Sequence, residues 1–414
     1  MESIYLDHNA TTPVDPLVLE AMLPYLQGSF GNASSIHSFG QAAHKGVEGA
    51  REKVAHYLGC EPKEVIFTSG ATESDNHVLV GVSEAMKKKG KHLIVSAIEH
   101  PAILSTAERL EKMGYEVTRV GVDSRGVVSP EAVRAALRDD TILVSIMYAN
   151  NETGAIQPIA DIGRIVKERG ILFHTDAVQA AGKLLLRVDD LGVDFMSLSG
   201  HKIYGPKGIG VLYIRRGSFI RPLLTGGHHE FNRRAGTENV PGIVGFGKAF
   251  ELAHERMATD GPRIGALRDR LQKRLLETVP NIYLTAADAP RVPNTLHALF
   301  HFVEGEGLLL KLTMLHGIAV STGSACTSGT LEPSHVLAAM GINKQLGNSG
   351  VRISLGRSNT EAEIDKTAEA LAKEIAGLRN MSPLFEAYRR GRMSDTDRAV
   401  YDTWVTRPAP NVGG

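Results

Sequence analysis

The stretch Val65-Ile66-Phe67-Thr68-Ser69-Gly70-Ala71-Thr72-Glu73-Ser74 sets the fold class. Its first four residues are β-branched or aromatic and read as a short strand, Gly70 permits a tight turn, and a helical spacing follows. In that following segment Val78, Val82, Ala85 and Met86 fall at intervals that place them on one helical face. The same unit then recurs. Short apolar runs at Leu93-Ile94-Val95, Val117-Thr118, 141–147, 171–175 and 195–198 alternate with helical stretches, the rhythm of a parallel α/β sheet covered on both faces. Near residue 255 the pattern changes to long, charged, amphipathic segments such as 268–277, which predicts a second, smaller domain.

Composition narrows the partners. The 414 residues carry 46 Lys plus Arg against 46 Asp plus Glu, so no basic field is available for nucleic acid or anionic lipid. No run approaches the roughly 18 to 20 consecutive apolar residues a membrane helix needs. The opening Met1-Glu2-Ser3-Ile4-Tyr5-Leu6-Asp7 lacks a cationic and apolar leader, so a cytoplasmic protein without nucleic-acid or membrane partners is expected. Two cysteines, Cys60 and Cys326, exclude a disulfide framework and a Cys-rich metal site.

In an open parallel sheet, ligands bind beyond the carboxyl ends of the strands. Three such ends carry chemistry. The loop through Gly70 and Ala71 precedes a helix whose free N–H groups suit a phosphate, although alone it reads first as ordinary capping by Ser69 or Thr72. Asp176 follows the apolar run at 171–175, with Gln179 one turn on, and Lys202 lies in Ser199-Gly200-His201-Lys202 among small and polar residues. A phosphate cradle, a strand-end acid and a sheltered lysine are what a pyridoxal phosphate site requires. The Gly-x-Gly-x-x-Gly turn of a nicotinamide enzyme is missing after the first strand.

Cys326 sits in Ser324-Ala325-Cys326-Thr327-Ser328-Gly329, an accessible small-residue setting suited to a reactive thiol. Cys60 has no such surroundings and reads as structural. The pair His228-His229 lacks a third ligand at metal-site spacing and reads as loop chemistry.

With Tyr5-Leu6-Asp7-His8-Asn9-Ala10-Thr11-Thr12-Pro13, Asn150-Asn151-Glu152-Thr153-Gly154 and the segments above, the sequence resembles the NifS/IscS-type cysteine desulfurases. These are fold-type I pyridoxal phosphate enzymes of the class V aminotransferase family. The likeness runs from Tyr5 to about residue 370, and Glu99-His100-Pro101-Ala102 and Arg234-Ala235-Gly236-Thr237 lean toward the nitrogen-fixation branch. The resemblance implies an α/β fold with a mostly parallel seven-stranded sheet. It divides the chain into a large cofactor-binding domain at 15–255, a small α+β domain formed by 1–14 and 256–380, and a C-terminal helix or tail at 381–414.

It also implies roles. Lys202 becomes the Schiff-base lysine, Asp176 the partner of the pyridinium nitrogen, Gln179 a contact of the ring's phenolic oxygen with Asn151 beside it, and His100 the ring-stacking proton relay. Ala71, Thr72, Ser199 and His201 hold the phosphate, with Thr237 donated by the second subunit of a homodimer. Arg352, assisted by Asn32, grips the substrate carboxylate. L-Cysteine would yield L-alanine and a persulfide on Cys326, delivered to a NifU- or IscU-like scaffold for iron–sulfur cluster assembly. No resident metal is implied, and Cys326 would touch a cluster only transiently. Alternatives are another fold-type I enzyme, such as a selenocysteine lyase or aminotransferase, or a sulfur carrier with a vestigial cofactor site.

Overall fold

A computed structural model describes residues 3–322 and 334–406. Twelve strands occur among them: β1 (Ile4–Tyr5), β2 (Val65–Thr68), β3 (His92–Ser96), β4 (Glu116–Val120), β5 (Thr141–Ser145), β6 (Leu172–Asp176), β7 (Phe195–Ser199), β8 (Gly210–Ile214), β9 (Ile282–Leu284), β10 (Thr295–Phe300), β11 (Ile318–Ala319) and β12 (Gly350–Ser354). Strands β2 to β8 form one seven-stranded sheet in the order β2-β8-β7-β6-β5-β3-β4. All its pairings are parallel except the two made by β8, which runs antiparallel to both β2 and β7. Six of the seven strands therefore point their carboxyl ends to one edge.

Both faces of this sheet are covered, as the unbroken apolar runs require. Alternate residues of one strand enter different cores: Val65 and Phe67 pack on one face and Ile66 on the other, and Ile94 opposes Leu93 and Val95 in the same way. The helix Ala71–Met86 buries Val78 and Val82 as its spacing predicts. A separate apolar cluster unites Ile4 and Leu6 with Leu296, Val351, Ile353 and Leu371 around the antiparallel sheet β12-β10-β9. The first strand reaches that cluster through its parallel pairing with β11.

The sequence places a domain change near 255, and a single helix, Val240 to Thr278, spans that position. Phe246 and Phe250 of this helix join the core of the large sheet, and Leu267, Leu271 and Leu275 join the small one. No residue between Ala253 and Ile264 is buried, so the charged middle bridges two cores and marks no break. Of the segment beyond 380, the helices Pro383–Arg389 and Asp395–Thr403 lie on the protein surface. Tyr401 stacks on Phe302 at 4.3 Å between ring centres, Trp404 meets Tyr283 edge-on, and Thr406 donates its N–H to Ile282 O at the free edge of β9. Among the described residues no helix is long and apolar enough to cross a membrane.

Candidate active site

The loops leaving the carboxyl ends of β2, β3, β5, β6 and β7 converge on a cavity of about 690 Å³. Ten of the residues singled out from the sequence line it: Ala71, Thr72, His100, Asn151, Asp176, Gln179, Ser199, His201, Lys202 and Arg352. Asn32 and Thr237 do not. Asn32 lies on the surface between the exposed Phe30 and Ile36, with its Oδ1 accepting the Ser34 N–H, and Thr237 is exposed. Cys326 falls outside the described residues. Ser321, five residues before it, lines the cavity and bridges Arg352 through its backbone.

At the β2 end, Gly70 caps the helix Ala71–Met86 with no side-chain hydrogen bond, leaving first-turn N–H groups for a ligand. A Cβ on Gly210 would stand 2.7 Å from Gly70 Cα, so glycine is needed there for β8 to approach the turn. Glu73, an acid in this first turn, is neutralised by Arg234 at 2.9 Å. Ser199, His201 and Lys207 complete that end of the cavity. Burial, helped by Lys202 and Lys207, lowers His201 to about 4, so it is a neutral imidazole there.

At the opposite wall Asp176 ends β6, its Oδ1 accepting the Val178 N–H at 2.9 Å. Burial pushes its carboxyl above the usual range, opposed by His100 and Lys202. Asp75 lies close by, fully buried; its Oδ1 lacks a hydrogen-bond partner, and burial followed by the charge of Asp176 raises it well above an ordinary aspartate. Beneath them His174, held neutral by burial, is bonded to Ser145 Oγ (2.8 Å) and Ser197 Oγ (3.0 Å). Two buried carboxyls with so little compensation fit a cationic N–H donor presented from the cavity. His100 caps the helix Pro101–Lys112 by accepting the Ala102 N–H at Nδ1 (3.1 Å). Burial lowers it, so its remaining proton sits on Nε2.

Lys202, following β7, donates to the carbonyls of Asn9 and Ala10 (2.7 Å for the latter). Gln179 Nε2 donates to the same Asn9 carbonyl at 3.0 Å. Arg352 on β12 is anchored by Asp7 (2.8 Å) and the Asn151 carbonyl (3.0 Å), and its Nε has no partner. Asp7, Asn9, Asp75 and Lys207 also line the cavity without having been singled out from the sequence. Asp7 and Asn9 fall within the motif Tyr5–Pro13, which was the available signal for these two. Cys60 is partly packed against the large core, and burial with Glu64 and Glu61 drives its thiol up to about 12, a poor thiolate. His228 bonds Asn232 and His229 accepts the Gly236 N–H, both within their own loop.

An anion-ready helix terminus, a buried strand-end aspartate and a lysine between them define a pyridoxal phosphate enzyme of fold type I. Among known proteins, the aminotransferase class V family model matches residues 4–367, and the chain belongs to that family. It is 51% identical over 391 residues to the cysteine desulfurase IscS of Anaeromyxobacter sp. (strain Fw109-5), covering 94% of this chain and 96% of the relative. A solved NifS-like protein superposes with a TM-score of 0.85 at 42% identity, covering 91% of this chain and all of that one. SspA in complex with cysteine superposes with a TM-score of 0.77 at 38% identity, over 85% of this chain and 99% of SspA. The relatives' names thus span both branches, IscS and NifS-like.

Proposed function

We infer that the chain is a pyridoxal phosphate-dependent cysteine desulfurase that converts L-cysteine to L-alanine, leaving a persulfide on Cys326. The observation carrying this reading is the single cavity that gathers Lys202, Asp176 and the helix terminus at Ala71 with an anchored arginine, Arg352. Bound pyridoxal phosphate supplies an electron sink for charge developing at the substrate Cα.

The chain's own residues do the rest. The N–H groups at Ala71 and Thr72, with Ser199 and His201, hold the phosphate, and Asp176 balances the ring-nitrogen proton. Gln179, Asn151 and His100 would hold the ring, with His100 keeping a proton at Nε2. Arg352 receives the substrate carboxylate, and Lys202 Nζ takes the Cα proton. The Cys326 thiolate attacks the substrate sulfur: an S–S bond forms as the C–S bond breaks, and the carbon fragment, after gaining protons, leaves as alanine.

The reading extends to a cytoplasmic homodimer in which the partner subunit supplies Thr237, and to a NifU- or IscU-like scaffold as the persulfide acceptor. Support for a dimer comes from the helix Pro16–Gln27, which exposes Leu19, Leu23 and Leu26 along one face, followed by Phe30 at 70% exposure. A large domain at 15–255, a small one at 1–14 plus 256–380 and a C-terminal appendage at 381–414 describe the chain's functional division. The helix Val240–Thr278 then links the first two.

The test is Cys326→Ala in the holoenzyme. Cysteine-dependent sulfide release under reductant is expected to fall at least ~10²-fold, as for loss of a covalent nucleophile, with the cofactor spectrum retained. Undiminished release with alanine formed would sink the persulfide role. A second expectation concerns Arg352→Lys, which keeps the charge but loses the planar fork. KM for cysteine is expected to rise roughly 10- to 100-fold, with kcat changed much less, in steady-state assays of alanine.

A further inference from the structure

Behind Lys202, away from the main cavity, lies a second cavity of about 50 Å³ whose wall includes both Lys202 and Lys183. Lys183 follows the turn at Gly182 and is half-buried. Its Nζ donates to the Gln179 carbonyl at 3.0 Å and approaches Gln179 Oε1 at 3.5 Å. Gln179 in turn donates to the Asn9 carbonyl, the same oxygen that receives Lys202. The two lysines are thus coupled through one glutamine and one carbonyl.

We propose that Lys183 is a positioning residue of the cofactor site, fixing Gln179 from behind and bearing electrostatically on Lys202. This rests on the pyridoxal phosphate reading above.

The surroundings define the sign. The groups facing Lys183 across the small cavity are Lys202, His8, Tyr204 and the Asp260–Arg357 pair. Asp260 is already taken by Arg357 at 2.7 Å. His8 is neutral: burial, with Lys183 adding to it, lowers it to about 4, and neither ring nitrogen has a partner. No carboxylate in this cavity is thus left to neutralise Lys183, and burial reinforced by Lys202 lowers its ammonium to about 7. A cation held here disfavours a proton on Lys202 or on its linkage to the cofactor, whereas a neutral amine tolerates it.

Two variants of the holoenzyme test this by pH titration of the visible band of the lysine-bound cofactor. Lys183→Arg places a permanent cation beside Lys202, and the small cavity leaves room for the larger head. Its titration midpoint is expected to drop by about one pH unit below wild type. Lys183→Met removes the charge, so its midpoint is expected at or above wild type. Because it also drops the hydrogen bonds to Gln179, its pyridoxal phosphate dissociation constant should rise roughly 2- to 10-fold. An Arg-variant midpoint at or above wild type would overturn the assignment, and so would a Met variant with wild-type cofactor affinity. A wild-type protein with no borohydride-reducible chromophore would instead overturn the cofactor reading and this assignment with it.

Discussion

Lys202→Ala is expected to reduce cysteine-dependent alanine formation by roughly 10³-fold or more, the combined loss of a covalent attachment point and a positioned base. The same variant should no longer be covalently labelled when pyridoxal phosphate-loaded protein is reduced with borohydride, as read by intact mass. The fold should survive. Lys202 is half-buried and its amine rests on two backbone carbonyls, Asn9 and Ala10, so truncation leaves acceptors with access to the cavity and creates no unpaired buried charge. Labelling that persists in Lys202→Ala would move the attachment to another amine on the wall, with Lys207 in the main cavity and Lys183 in the rear one as the nearest by lining. That outcome would refute the role of Lys202.

The parts of the site that were legible in the sequence are those set by local periodicity. A strand followed at once by a glycine turn and a helix forces its next residues to the carboxyl edge of the sheet, and so Ala71, Asp176, Ser199 and Lys202 were locatable from the strands alone. Residues that depend on long-range packing were not. Asn9 is held by Asn294 and by Thr295 Oγ1, nearly 300 positions away, and its carbonyl becomes the platform for Lys202 only once β1 has docked beside β11. Asp75 reads as one more polar residue in the first turns of a helix, and only the tertiary fold buries it near Asp176. The continuity of the helix Val240–Thr278 was hidden for a related reason. Its middle is charged and contains Pro262, yet burial of Phe246 and Phe250 at one end and of Leu271 and Leu275 at the other keeps it continuous. Packing of the two ends outweighs the weak propensity between them.

Asp176→Asn is expected to lower kcat/KM for cysteine by roughly 10²- to 10⁴-fold, the scale of losing one member of a buried ion pair, about 3 to 5 kcal/mol. The argument runs through charge. Asn retains the size and the acceptor oxygen for the Val178 N–H, so the geometry at the end of β6 is kept. What it lacks is the negative charge that makes a proton on the ring nitrogen favourable, and without that proton the ring is a poorer electron acceptor. Asp75 limits the damage. Burial and then Asp176 hold its carboxyl high, so removing the charge at 176 eases its ionisation, and it lines the same cavity. The double variant Asp75→Asn/Asp176→Asn is therefore expected to fall below Asp176→Asn alone, while Asp75→Asn by itself costs much less. Cofactor should remain bound in all three, because the groups proposed to hold its phosphate, at Ala71, Thr72, Ser199 and His201, are untouched. Steady-state kinetics at equal cofactor occupancy separate the outcomes: a full-activity Asp176→Asn enzyme would show that the ring nitrogen is not engaged at this carboxylate.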